Sequence, residues 1–150
     1  MMATGFSTAQ AADVCELSER QVRTLARSGM VRPSLREPSG RGTVAAFDAF
    51  DLVKLAALAQ VAALLGGDVR GAWVGATAAA LESVRHAGTL EGSILLADAS
   101  GAHVVHADAL AAALAGVGAS LLVRLDVVAQ RVHARIARQL GAPPAASAAA

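Results

Sequence analysis

The 150-residue chain has no tyrosine, one tryptophan and three phenylalanines, so aromatics make up 3% of it while hydrophobic residues make up 55%. Much of the apolar content is alanine, which packs helices closely but buries little area per residue, so the expected core is adequate but thin. Cys15 is the only cysteine. A lone thiol excludes an intrachain disulfide framework and any multi-cysteine zinc site, and it reads as a small buried residue in a turn. No long hydrophobic run is present. The best stretch, residues 55–65, is interrupted by Gln60 and stopped by Gly66-Gly67, too short to cross a bilayer. The N-terminus lacks a basic region followed by an apolar run, so no signal peptide is expected and the chain is expected in the cytoplasm.

Chemistry is equally sparse. His103 and His106 stand three apart on an expected strand, which puts them on opposite faces and makes poor metal-ligand geometry. There is no Ser/His/Asp constellation, no phosphate-cradling glycine loop and no paired carboxylates. Asp48, Asp68, Asp108 and Asp126 each stand just before an expected helix, which is capping and not catalysis. Enzymatic activity, a cofactor and a bound metal are therefore not expected.

What is present is concentrated in residues 6–47. Ser7 is followed three residues later by Gln10, and Ser18 by Gln21. This is the capping-box spacing, so two short helices start there. Only Cys15, Glu16 and Leu17 separate them, the short turn of a helix-turn-helix. On the second helix Val22, Leu25 and Ala26 would face the core, while Arg20, Arg23 and Arg27 share the opposite face. Gly29 would end the helix as a C′ glycine. Residues 30–35 and 43–47 read as two strands around a turn-rich tip at 36–42, a hairpin carrying Arg32, Arg36 and Arg41. Residues 20–41 hold six arginines and one acid, Glu37, a net +5. The whole chain is only +1, so the rest sums to −4. An arginine stripe on the second helix of such a pair is where DNA would be read, and the hairpin arginines would touch phosphates. The alternative for such a stripe is a solvated outer face. The candidate DNA-binding set is Ser18, Arg20, Gln21, Arg23, Thr24, Arg27, Arg32, Arg36 and Arg41.

Three pieces carry a family resemblance: Ser18-x-Arg20-x-Val22-Arg23-x-Leu25, the Gly29-Met30-Val31-x-Pro33 step, and Asp51-Leu52-Val53-x-Leu55. Over residues 5–66 the chain resembles the winged helix-turn-helix domain of MerR-type regulators. The resemblance implies a second helix in the major groove and a wing along the backbone. Two departures stand out: Leu25-Ala26 replaces aromatics usual late in the second helix, and Gly42-Thr43-Val44 follows Arg41 in place of Arg-x-Tyr. The same domain occurs in phage excisionases and small terminase subunits, so the resemblance implies DNA binding more firmly than transcription.

Beyond it, Asp48 would cap a long apolar helix to Leu65, and Asp68 a linking helix over 69–86 with Trp73, Thr77, Ala80, Leu81 and Val84 on one face. Residues 92–97 and 102–106 read as a hairpin. Asp108 would cap a short helix over 109–115, and residues 120–125 read as a third strand, apolar enough to be central. Asp126 would cap a last helix to Leu140. There Val127, Val128, Val132 and Ile136 face inward, and Arg131, Arg135 and Arg138 form a wet face or a second DNA contact. The β-β-α-β-α order is similar to a small domain of unknown function found behind MerR-like domains in bacterial proteins, some of which are thought to be antitoxins.

The expected fold class is α+β. It comprises a winged helix-turn-helix at 5–66, a linking helix at 67–88, an α+β dimerisation or partner-binding module at 89–140, and a disordered tail at 141–150. The expected function is sequence-specific binding of double-stranded DNA as a transcriptional regulator, repressing or autoregulating, without membrane association. A homodimer is expected, with residues 121–125 the first interface to examine. The alternatives are an antitoxin-like protein binding a partner through residues 89–140, and a phage-type architectural protein.

Overall fold

The structure, a computed structural model, describes residues 5–66, 72–98 and 100–141. The expected cap Asp68, the first turn of the linking helix and the tail from 142 onward lie outside the described residues.

The first two helices form where their caps are written. Ser7 and Ser18 accept the amides of Gln10 and Gln21, whose side-chain oxygens accept the cap amides at 2.9 Å. These reciprocal bonds start α1 (Thr8–Cys15) and α2 (Glu19–Arg27). Gly29, at φ +76°, ends α2. The Met30 amide bonds the Leu25 carbonyl and the Gly29 amide that of Ala26, a Schellman ending. Asp48 and Asp51 make a third capping box, at the start of α3 (Ala49–Leu64).

Residues 30–47 do not form the two expected strands. Among the described residues this segment holds only two isolated bridges, Phe6 with Phe47 and Arg36 with Ala46. The physical reason is visible in the sequence. Pro33 and Pro38 have no N–H to donate to a ladder, and Gly40 and Gly42 take φ of +103° and +91°. The result is a loop clamped at its base by main-chain bonds between Arg36 and Ala46 and between Phe6 and Phe47.

α4 (Ala72–Glu82) ends four residues before the expected limit, and the chain leaves it through single turns to Gly88. Trp73, half-buried, packs on the core, and Val74, Thr77, Ala78, Ala80 and Leu81 are buried. Three antiparallel strands follow: β1 (Ser93–Asp98), β2 (Gly101–His106) and β3 (Leu121–Arg124), in the order β2-β1-β3. The third strand is therefore an edge and not the expected centre. Ile94, Leu95 and Leu96 are buried in succession, as a strand covered on both faces requires. On β3, by contrast, Leu122 and Arg124 are exposed. Leu95 and Val123 share one face of the register and join the main core. A 3-10 turn (Ala107–Ala109) leads into α5 (Leu110–Leu114), which lies against β2. His106, not Asp108, caps this turn, its Nδ1 accepting the Asp108 amide.

α6 (Leu125–Gln139) starts earlier than expected: Arg124 is its N-cap and Asp126 lies in its first turn. Leu125, the first residue of the helix, is fully buried. Asp126 still suits the positive end of the helix dipole and pairs with Arg124 at 2.6 Å. The fold is α+β. Around α3 one hydrophobic cluster takes residues from every helix but α5, and from β1 and β3. Among the described residues no helix is long and apolar enough to cross a membrane.

Candidate nucleic-acid interface

α2 separates its two faces cleanly. Val22 and Leu25 are sealed in the core, while Arg20, Arg23 and Arg27 are exposed. The side chains of the expected DNA-binding set do not all stand ready, however. Ser18 and Gln21 are occupied with each other in the capping box. The Thr24 hydroxyl donates to the Arg20 carbonyl at 2.8 Å within the helix. Arg23 is paired with Glu19 one turn earlier. Arg20, Arg27, Arg32, Arg36 and Arg41 are exposed and make no ion pair with a described acidic side chain.

The arginines fall into two groups. Arg23 and Arg27 line a groove of about 420 Å³ with Ser7 and Thr8 at the start of α1 and Thr43 and Val44 of the loop. Val44 is 57% exposed. Thr8, Thr43 and Val44 lie outside the set expected from the sequence, where no pattern marks them. Arg32 and Arg36 line a separate cleft of about 720 Å³, floored by Met30, Gly75 and Ala78 and reaching Lys54, Glu82 and Arg85. Arg20 and Arg41 line neither of these clefts.

The loop that carries Arg32 and Arg36 is tied down by a buried carboxylate. Asp51 is fully buried, and its Oδ2 accepts the Ser34 amide at 2.8 Å, the Ser34 hydroxyl at 2.6 Å and the Asp48 amide at 3.0 Å. Its Oδ1 takes Arg85 Nη2 at 2.6 Å. Arg85 also pairs with Asp48 and Glu82 and lies 4.7 Å from the Phe50 ring centroid. Burial works against the Arg85 charge, but the bonds to Glu82 and Asp51 outweigh it and raise its pKa. Burial likewise works against the Glu82 carboxylate, yet Arg85 and Lys54 hold its pKa below the ordinary value. Lys54, itself buried, reaches Glu82 at 2.8 Å.

The last helix reaches the helix pair as well. Arg135 does not sit on a wet face. Its Nη1 donates to the Val14 carbonyl at 2.8 Å and its Nη2 pairs with Glu16 at 2.6 Å. One turn later Gln139 donates to Asp13 at 2.8 Å. Beside them Cys15, the last residue of α1, is buried and its thiol donates to the Leu52 carbonyl at 3.2 Å. Burial pushes its pKa up to about 12.

No family model matches this chain, and no curated protein sequence matches it.

Proposed function

We propose that the protein binds double-stranded DNA sequence-selectively through α2 and the 32–47 loop, and acts as a transcriptional regulator that represses or autoregulates. The observation that carries this reading is the exposed Arg20, Arg23 and Arg27 face of a doubly capped short helix whose other face is sealed by Val22 and Leu25. Arginine is the side chain best suited to bidentate contact with guanine edges. Arg32, Arg36 and Arg41 on the neighbouring loop would take phosphates. Because Arg23 starts paired with Glu19, binding must exchange that contact for one to DNA. The exchange costs little, since exposed ion pairs of this kind contribute about 0.3–0.5 kcal/mol.

A homodimer is part of the proposal, since a nine-residue helix covers only one half-site. The open edge of β3, with Leu122 42% exposed, is where a second copy would add. The same edge keeps a second reading in view, in which the module binds a protein partner as an antitoxin does. A phage-type architectural role would instead require bending at clustered repeats.

The test is fluorescence anisotropy of the full chain with its own upstream DNA and with random DNA across a salt series. Preference for the upstream fragment with a steep salt dependence is the expected result. Arg23→Ala is expected to weaken specific binding more than random binding; equal losses would remove α2 from the base-reading role. No binding to either DNA at low salt would retire the proposal, and a pull-down would then test the partner reading.

A further inference from the structure

We infer that Arg135 is a positioning residue for DNA recognition: from the last helix, its guanidinium holds the turn between α1 and α2 in the conformation that aims α2. The inference rests on reading α2 as the DNA-reading helix.

After Cys15 the chain must reverse within three residues. It does so at Glu16, whose φ of +56° makes it the one non-glycine residue with positive φ among those described. The Leu17 amide then bonds back to the Ala12 carbonyl at 3.0 Å and the Glu16 amide to Asp13. This ending ordinarily takes glycine, because a Cβ disfavours the left-handed region. Glutamate therefore needs something to hold it there. The Arg135 fork supplies it: one nitrogen satisfies the Val14 carbonyl in the last turn of α1, and the other holds the Glu16 carboxylate itself. Both bonds are made with Glu16 in the left-handed region. Arg135 is fixed from behind, because Val128, Ala129 and Val132 anchor α6 in the core, and Gln139 adds bonds to Asp13 and to the Gln10 carbonyl.

The leverage is geometric. α2 begins three residues after Glu16, and its nine residues span about 13 Å, so a 10° rotation at the turn moves Arg27 by about 2 Å. Hydrogen bonds to base edges do not survive such a displacement, whereas long arginines can still follow phosphates. Losing Arg135 should therefore erode specificity and spare non-specific affinity. An exposed ion pair that merely stabilised the fold would spare both.

The experiment uses the full chain as wild type, Arg135→Ala, Arg135→Lys, Glu16→Gly and the Glu16→Gly/Arg135→Ala double variant, at a temperature where circular dichroism shows each fully folded. Specific and random DNA affinities are measured by anisotropy, and exchange of the Leu17 amide by NMR. Arg135→Ala is expected to lose about tenfold in specific affinity, as for a lost hydrogen bond from a charged group. Random binding and the salt slope should stay unchanged, and Leu17 should exchange faster. Arg135→Lys, with no planar fork, should fall between. Glycine at position 16 takes the left-handed turn unaided, so the double variant should recover most of the loss. Arg135→Ala keeping the wild-type specific-to-random ratio would overturn the inference. Should the wild type show no preference between the DNAs, the reading of α2 fails instead. Leu17 protection then decides alone, and a protection unchanged in Arg135→Ala would overturn the role of Arg135 in the turn.

Discussion

Replacing Asp51 with alanine should destabilise the fold by about 4.5–5.5 kcal/mol, and the contacts of its carboxylate show why. Three donors, the amides of Ser34 and Asp48 and the Ser34 hydroxyl, lose their side-chain acceptor. At partly buried sites each such loss costs about 1 kcal/mol. Arg85 loses its most buried partner. Breaking a buried pair from one side costs about 3–5 kcal/mol when the remaining charge is stranded. Arg85 keeps Asp48 and Glu82, so about half of that applies. Asp51→Asn should cost less, about 1–2 kcal/mol, because the amide keeps one oxygen acceptor but must turn its NH₂ toward either Arg85 or the two backbone N–H groups. Ser34→Ala removes one hydroxyl bond and should cost about 1 kcal/mol. The assay is guanidinium unfolding of each variant, followed by the emission of Trp73, the only tryptophan. The losses are expected to fall in the order Asp51→Ala, Asp51→Asn, Ser34→Ala. An Asp51→Ala variant within 1 kcal/mol of wild type, or an asparagine as costly as alanine, would refute it.

Phe47 is fully buried and its backbone pairs with Phe6; Phe47→Ala should cost about 3–5 kcal/mol in the same assay, and a loss under 1 kcal/mol would place the ring outside the core. Cys15, with its thiol pushed up to about 12 by burial, should resist iodoacetamide at pH 8 in the native protein and react fully in guanidinium, followed by mass spectrometry; rapid native labelling would contradict its burial. The carboxyls of Glu82 and Asp126 are held below their ordinary values of 4.5 and 3.8, the first by Arg85 and Lys54 against burial, the second chiefly by Arg124. Their depressed folded values favour the ionised form in the fold. The stability they add is thus full above those ordinary values and is lost as pH falls through the folded ones. Thermal melts by circular dichroism between pH 6 and pH 3 should show a falling midpoint, and a rising one would reverse the sign.

What could be read from the sequence was local. Ser7 with Gln10 and Ser18 with Gln21 are three-residue relations, and each capping box forms as written. Gly29 stands two residues past Arg27 and ends the helix. The hairpin at β1 and β2 follows from two short apolar runs around a four-residue turn signal. What failed was decided at a distance. The run 120–125 is apolar throughout, but composition cannot show that Leu125 belongs to a helix or that β3 pairs on one side only. Residues 30–35 and 43–47 have strand-like side chains, yet two prolines and two left-handed glycines leave them a loop. In the candidate interface, the arginines were visible as a stripe, while their restraints were not. Arg135 reaches Val14 across 121 positions, and Arg85 reaches Asp51 across 34. No window along the chain contains both partners of either contact.

α3 explains why these distant contacts matter to the helix pair. Its sequence from Leu52 to Leu64 is apolar nearly all round, and a helix without a wet face must be covered on every side. α1 covers one side; α4 and α6 cover the others. Buried residues on α3 run through consecutive positions, Asp51 to Leu55, which no single partner could seal. Residues 5–66 alone would leave the surfaces of α3 that meet α4 and α6 in water, along with buried Lys54 and Asp51 stripped of Glu82 and Arg85. The helix pair and its loop are therefore held by three restraints that originate beyond residue 66: apolar cover on α3, the Arg85 link to Asp51, and the Arg135 fork at Glu16. A change at the sheet that shifted α6 would reach the α1–α2 turn through Arg135. One that shifted the segment after α4 would reach Ser34 through Arg85 and Asp51. The turn before α2 and the loop at Ser34 are thus tied to separate parts of the C-terminal half.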